Sequence, residues 1–145
     1  MLYEINLTRI ESQSKYLKTC LKVVKDVNLL QNDVENFAIM RAFHIGVECV
    51  IDIGNTLIDG FIMRDPGGYS DIIDILEDEQ VISTILANDL KEFVKLREQL
   101  VRNYDEIQEE QLQVYIKKAD VFHAFIEHVT LFLEKEKANG NVYVP

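Results

Sequence analysis

Residues that interrupt helices are scarce in this chain of 145 residues. It contains six glycines and two prolines, and the densest group of them is the run Asp65-Pro66-Gly67-Gly68. Long segments without such residues favour helices. Apolar residues in these segments recur every three or four positions, which is the period of an amphipathic helix. No strand pattern or internal repeat stands out, so the sequence predicts an all-α fold.

Five helices are predicted, four of them long and one short. Their expected bounds are about 3–30, 33–62, 71–79, 84 to 102 or 104, and 110–137. Asn32 or Asp33 is the expected cap of the second helix, Ser70 of the short acidic helix and Ser83 of the fourth. This pattern predicts an antiparallel four-helix up-and-down bundle with one extra short helix. Residues 139–145 are expected to form a flexible tail.

The second helix carries two adjacent apolar stripes. The first consists of Phe37, Met40, His44, Val47, Ile51, Gly54, Ile58 and Phe61, and the second of Ile39, Phe43, Gly46, Val50, Ile53, Leu57 and Gly60. One stripe is enough to bury a helix within its own bundle. We therefore interpret the second stripe as a homodimer surface.

The charge of the chain is −10, from 15 basic and 25 acidic side chains, which argues against general nucleic-acid binding. The acidity is uneven, because residues 31–80 hold eleven acidic and two basic side chains. A basic stripe, Lys15, Lys18, Lys22 and Lys25, lies on the first helix, where a solvated face is the plainer interpretation.

Other composition signals narrow the class of protein. No apolar run reaches the roughly 20 residues that a membrane span needs, and the first ten residues lack the layout of a signal peptide. Cys20 and Cys49 have no metal-type spacing. We expect a reduced, cytoplasmic setting without a metal, a cofactor or a membrane partner.

Arg97 interrupts an apolar stripe of the fourth helix, and Tyr104 follows about two turns later. A buried guanidinium is costly unless it is paired. Candidate partners recur at 4-3-4 spacing on the second helix: Glu48, Asp52, Asn55 and Asp59. Arg97 could pair with Glu48 or Asp52, with Arg102 and Tyr104 approaching the same groove. The alternative is a salt bridge that only fixes helix register.

The histidines give no clear signal of a site. His44 lies in the core register of the second helix, where a core histidine is the plainer interpretation. His123 and His128 are five residues apart, which does not match the spacing that shares a metal.

Three segments occur in an order that resembles a known family. They are Ile53-Gly54-Asn55-Thr56-Leu57-Ile58-Asp59, Arg64-Asp65-Pro66-Gly67-Gly68-Tyr69-Ser70-Asp71-Ile72-Ile73-Asp74-Ile75-Leu76 and Leu96-Arg97-Glu98-Gln99-Leu100-Val101-Arg102-Asn103-Tyr104. The chain resembles the HepT-like proteins of the HEPN superfamily, from about residue 35 to 135. The resemblance implies a single HepT-like helical domain over residues 1–138 and an all-helical homodimer.

The resemblance also implies a reaction. Family toxins are metal-independent endoribonucleases whose motif is an arginine, four to six residues, a histidine, one residue and a tyrosine. Arg97 matches the motif arginine, which would bind the scissile phosphate, and Tyr104 matches the tyrosine. Arg102 stands where the family has histidine. Because arginine stays protonated, Arg102 could bind phosphate but could not act as a general base.

The family further implies partners. Its toxins often pair with a MntA-type nucleotidyltransferase antitoxin that attaches AMP to the motif tyrosine, here Tyr104. We therefore expect a degenerate or weak endoribonuclease of toxin–antitoxin type, with RNA, the antitoxin and a second copy of the chain as partners. The alternative is a non-catalytic dimeric module that binds nucleotides, RNA or protein.

Overall fold

The computed structural model describes residues 1–27 and 32–145 and contains six α-helices within those ranges. They are α1 (Leu7–Asp26), α2 (Asp33–Gly60), α3 (Tyr69–Asp78), α4 (Thr84–Arg102), α5 (Glu109–Lys117) and α6 (Val121–Ala138), with a 3₁₀ turn over Tyr104–Glu106. No β-strand forms in the described ranges, apart from an isolated bridge between Tyr3 and Val142. The all-α helical bundle is therefore confirmed.

The ends of the helices follow local capping chemistry. The Asn32 side chain accepts a hydrogen bond from the Glu35 N–H at 2.9 Å, and Ser83 accepts one from the Leu86 N–H at 3.2 Å, as predicted. The prediction for Ser70 is wrong, because Gly68 precedes α3 and no side chain caps that helix. Instead, the Asp71 carboxylate accepts a hydrogen bond from the Gly67 N–H at 2.6 Å and stabilises the turn before α3.

Helix α1 begins later than predicted. Asn6 caps it by accepting a hydrogen bond from the Arg9 N–H at 3.1 Å. The preceding residues are not helical, and Tyr3 instead hydrogen-bonds to the other end of the chain. The predicted end at Leu30 lies outside the described residues.

The single last helix predicted over 110–137 is two helices, α5 and α6. Around Lys118–Asp120 the N–H groups bond to carbonyls three residues back, for example Ala119 to Ile116 at 3.2 Å and Phe122 to Ala119 at 3.1 Å. This tight turn redirects the chain without a glycine or proline. It lets both Tyr115 and Phe122 pack on Phe93, with ring centroids 5.0 Å away in each case.

Helix α2 lies at the centre and contacts each of the other five α-helices. Its second apolar stripe is buried inside the chain, with Phe43, Ile53 and Leu57 fully inaccessible. A Cβ placed on Gly46 would lie only 2.7 Å from the Phe122 ring, so this glycine permits α6 to approach. The interpretation of the second stripe as a homodimer surface is therefore wrong, because a central helix finds two partners within its own bundle.

Residues near the end of the chain hydrogen-bond to residues near its beginning. The Tyr3 N–H donates to the Asn141 carbonyl at 2.7 Å, and the Tyr143 N–H donates to the Tyr3 carbonyl at 2.8 Å. Val142 is buried between them. These contacts hold residues 141–143 against the beginning of the chain.

Candidate functional site

Glu48 joins three helices at one point. It lies on α2, and its Oε1 accepts a hydrogen bond from Arg97 Nε of α4 at 2.7 Å. Its Oε2 accepts a hydrogen bond from the hydroxyl of Tyr69, the first residue of α3, at 2.8 Å. Of the two partners predicted for Arg97, the structure selects Glu48.

The Arg97 guanidinium is held on two sides and open on a third. Its carbon lies 4.5 Å from the centre of the Tyr69 ring, which is a cation–π distance. Nη2 is 3.5 Å from the Tyr69 hydroxyl oxygen, and Nη1 forms no hydrogen bond with any described residue. The side chain is 25% exposed. Arg97 is therefore paired but accessible, and it is not sealed in the core.

The surroundings of Tyr69 shift the pKa of its phenol. Burial raises the pKa of its phenol, and the hydrogen bond to Glu48 raises it further. The hydroxyl consequently stays protonated at neutral pH and donates to Glu48. Together, Tyr69 and Glu48 fix the orientation of the Arg97 side chain.

His44 lies one helical turn before Glu48 on α2. Its Nε2 is 3.7 Å from Glu48 Oε1, the same oxygen that accepts from Arg97. The side chain is 28% exposed, so the prediction of a core histidine is wrong. Burial lowers the pKa of the imidazole, Glu48 opposes this, and Arg41 and Arg97 add to the lowering.

The other polar residues predicted on α2 form no hydrogen bond or ion pair with Arg97. Asp52 forms no ion pair with a described residue and lines an open groove of about 540 Å³ between α1 and α2, to which Glu48 also contributes. Asn55 is half-buried and Asp59 is exposed. Of the four polar residues predicted on α2, Glu48 is the one that hydrogen-bonds to Arg97.

Arg102 and Tyr104 lie apart from the Arg97 cluster. Arg102 is 73% exposed and pairs with Glu98 one turn earlier on α4, with Nε 3.3 Å from the carboxylate oxygen. Tyr104 is 70% exposed and stands in the 3₁₀ turn, because α4 ends at Arg102. Within the described residues, no hydrogen bond or ion pair links Arg97 to either of them.

Sequence reasoning missed two members of the cluster. Tyr69 stands inside a segment used for the family resemblance, but no spacing rule connects it to Arg97 across 28 residues. His44 offered a usable signal, since it precedes Glu48 by four residues and thus shares a helix face with it. The cluster combines an anchored guanidinium with a nearby imidazole, which are groups suited to binding an anion and moving a proton.

Metal and membrane signatures are absent from the part of the chain that the structure describes. It holds no group of three or more His, Cys, Asp or Glu side chains placed to bind a metal ion. None of its helices is long and apolar enough to cross a membrane.

Comparisons with known proteins identify a family and a relative that this chain resembles. Residues 10–129 match the family model described as Ribonuclease HepT-like. A protein of Bacillus subtilis (strain 168) named "Putative RNase YutE" is 37% identical over 103 residues, which cover 71% of this chain and 72% of that protein.

Solved structures agree with the family match. The structure of YutE from Bacillus subtilis, described as a cytosolic protein of unknown function, has a TM-score of 0.87 at 32% identity and covers 97% of this chain and 98% of its own. A tri-AMPylated Shewanella oneidensis HEPN toxin in complex with MNT antitoxin has a TM-score of 0.79 at 21% identity, covering 85% and 97%, and supports the fold alone. The chain belongs to the Ribonuclease HepT-like family.

Proposed function

We propose that this protein is a weak, metal-independent endoribonuclease of toxin–antitoxin type in which Arg97 binds the scissile phosphate. The observation that carries the proposal is the state of the Arg97 side chain. It is partly exposed, its Nε is held by Glu48, and its Nη1 has no partner among the described residues.

The chemistry of the guanidinium suits this role. Arginine offers five N–H donors in a planar fork that matches phosphate oxygens. Glu48 uses the Nε donor and Tyr69 lies against Nη2, so the Nη1 edge is available to an anion. The same two contacts limit the rotamers of Arg97, and this reduces the entropy lost when a phosphate binds.

Arg102 and Tyr104 extend the proposed RNA surface. Arg102 is exposed, and its one ion pair among the described residues is with Glu98 on its own helix, a contact that a phosphate can replace at little cost. Tyr104 is exposed enough to meet a modifying enzyme, and we propose it as the acceptor of AMP from a MntA-type nucleotidyltransferase antitoxin. The tri-AMPylated state of the Shewanella oneidensis toxin supports this role by analogy.

We propose that the active form is a homodimer in the cytoplasm. Exposed apolar side chains lie on the two helices that carry the site: Val34 and Phe37 on α2, and Val101 on α4. These residues, and not the buried stripe of α2, are the surface that a second copy would cover. The description of YutE as a cytosolic protein supports the compartment.

Cleavage of a 5′-labelled RNA in excess EDTA tests the proposal. We expect slow cleavage by the wild type, loss of cleavage in Arg97→Ala, and faster cleavage in Arg102→His, which restores a group able to move protons. General acid–base catalysis contributes about 10²–10⁴-fold to rates. Absence of cleavage by both the wild type and Arg102→His refutes the enzymatic role.

The second candidate is a non-catalytic dimeric module that binds nucleotides, RNA or protein. It is favoured by the presence of Arg102, which cannot exchange a proton near neutral pH, at the motif histidine position. This candidate predicts that the wild type binds RNA without cutting it. It further predicts that Arg97→Ala weakens binding.

A further inference from the structure

The face of α2 that carries Glu48 also carries two basic residues. Arg41, His44 and Glu48 follow one another at spacings of three and four residues, so their side chains lie along the same face. Arg41 is exposed, whereas His44 and Glu48 are each about one-quarter exposed. A ligand that reaches Arg97 therefore meets His44 on the same surface.

Glu48 Oε1 lies close to both Arg97 and His44. Arg97 Nε is 2.7 Å from this oxygen and His44 Nε2 is 3.7 Å from it. The imidazole and the guanidinium thus both lie beside one carboxylate oxygen, close enough for Arg97 to bind a phosphate while His44 faces the neighbouring ribose. His44 forms no hydrogen bond with a described residue, and because Nε2 faces Glu48, Nδ1 is the ring nitrogen available to a ligand.

The surroundings of His44 keep it a proton acceptor. The groups that face it are Arg41 and Glu48 on α2 and Arg97 on α4, while the Tyr69 hydroxyl of α3 is turned to Glu48. Burial is the largest influence and lowers the pKa, so the imidazole is neutral at pH 7. Arg102, at the motif histidine position, stays charged and cannot accept a proton.

We propose that His44 is the general base of this ribonuclease site, an inference that rests on the proposed function. The ribose 2′-oxygen forms a bond to the adjacent phosphorus, and His44 takes the 2′-hydroxyl proton. The bond from phosphorus to the 5′-oxygen breaks, and the leaving oxygen takes a proton from water. The products are a 2′,3′-cyclic phosphate and a 5′-hydroxyl end, and His44 then releases its proton to solvent. Glu48 stabilises the imidazolium while it exists, as a carboxylate does beside a catalytic histidine.

The chain contains a matched control for this histidine. His123 pairs with Glu127 at the same four-residue spacing, with Nε2 2.8 Å from the carboxylate oxygen, but it lies exposed on α6. Substituting His123 by glutamine removes an imidazole beside a carboxylate without touching the Arg97 cluster.

Single-turnover RNA cleavage by the full chain tests the proposal. We expect His44→Gln to lower the rate by about 10²–10⁴-fold and His123→Gln to leave it unchanged. The wild-type rate should rise with pH below 6.5, the ordinary pKa of histidine, and level off above it. His44→Gln should lose that rise. Its affinity for a 2′-O-methyl RNA, which cannot be cleaved, should equal that of the wild type.

The outcomes separate the two proposals. If Arg97→Ala abolishes cleavage while His44→Gln retains the wild-type rate and pH profile, His44 is not the base and the proposed function stands. If neither the wild type nor Arg102→His cleaves RNA, both proposals fail, and cleavage by Arg102→His alone overturns only the role of His44. Weaker binding of the 2′-O-methyl RNA by His44→Gln assigns His44 a structural role and overturns the inference. An NMR titration of the wild type serves if that variant does not fold, since an imidazole signal of His44 unaffected by the RNA overturns it as well.

Discussion

Removal of the Glu48 side chain tests the energetic account of the Arg97 cluster. Glu48→Ala deletes the acceptor of two hydrogen bonds at once, from Arg97 Nε at 2.7 Å and from the Tyr69 hydroxyl at 2.8 Å. A cation and a phenol would then remain partly buried without their partner. Because these groups are both partly buried and paired, this substitution should lower the free energy of unfolding more than the removal of any single surface charge.

The expected cost lies between two known limits. An exposed ion pair contributes at most about 1 kcal/mol, whereas breaking a buried pair costs about 3–5 kcal/mol. Glu48 and Arg97 are each 25% exposed, so water can partly compensate for the lost partner. We expect the free energy of unfolding to fall by about 2 kcal/mol, which corresponds to a Tm lower by about 4–8 °C.

Urea unfolding of the two glutamate variants measures this cost. Glu98→Ala is the matched control, because Glu98 pairs with Arg102 on the surface, where the two side chains are 62% and 73% exposed. It should cost only about 0.3–0.5 kcal/mol. A double-mutant cycle with Arg97→Ala should give a coupling of about 1 kcal/mol or more for Glu48. Equal costs for Glu48→Ala and Glu98→Ala would refute the reasoning.

Three further predictions concern the fold. Gly46→Ala should destabilise the chain by about 1–3 kcal/mol, because its Cβ would lie 2.7 Å from the buried Phe122 ring. Gly68→Ala is the control and should be nearly neutral, since no heavy atom lies within 4 Å of its Cβ. Thermal unfolding of the two variants measures the difference. Ser83→Ala should lower the free energy of unfolding by about 1 kcal/mol through loss of the α4 cap. Ser70→Ala should change it little, since Ser70 caps no helix. Equal losses of stability in urea unfolding would contradict this prediction. Hydrogen bonding to Lys25 lowers the pKa of Asp120, so the stabilisation from this pair is present at neutral pH and is lost as pH falls below the ordinary carboxyl value of 3.8. The difference in stability between the wild type and Lys25→Ala, below about 1 kcal/mol at pH 7 for so exposed a pair, should therefore vanish once the pH is below the lowered pKa of Asp120, and it should shrink in high salt.

The sequence predicts the helices where local chemistry decides, and it fails where packing decides. The caps at Asn32 and Ser83 could be predicted because side-chain acceptors are specified by nearby residues. The break between α5 and α6 could not, since Lys118, Ala119 and Asp120 include no helix breaker. The turn between α5 and α6 allows Tyr115 and Phe122 to pack on the same core.

The candidate site was predictable only along single helices. Periodicity drew attention to Arg97, which interrupts an apolar stripe, and offered Glu48, which flanks the apolar stripe of α2, as a partner. The spacing that relates Arg97 to Tyr104 assumes one continuous helix, and α4 ends before Tyr104. Tyr69 enters the site from α3, and its position depends on how α3 packs on α2 and α4, which no local pattern encodes.

The bridge between Tyr3 and Val142 has a consequence for the order of folding. It joins residues separated by almost the whole chain, so its entropy cost is met only after the bundle has brought the two ends together. The contact should therefore form after the transition state and open first when the native state fluctuates. Because Tyr3 and Tyr143 donate the two hydrogen bonds of this contact, their amides should exchange with solvent at the same rate, and faster than those of the central helix.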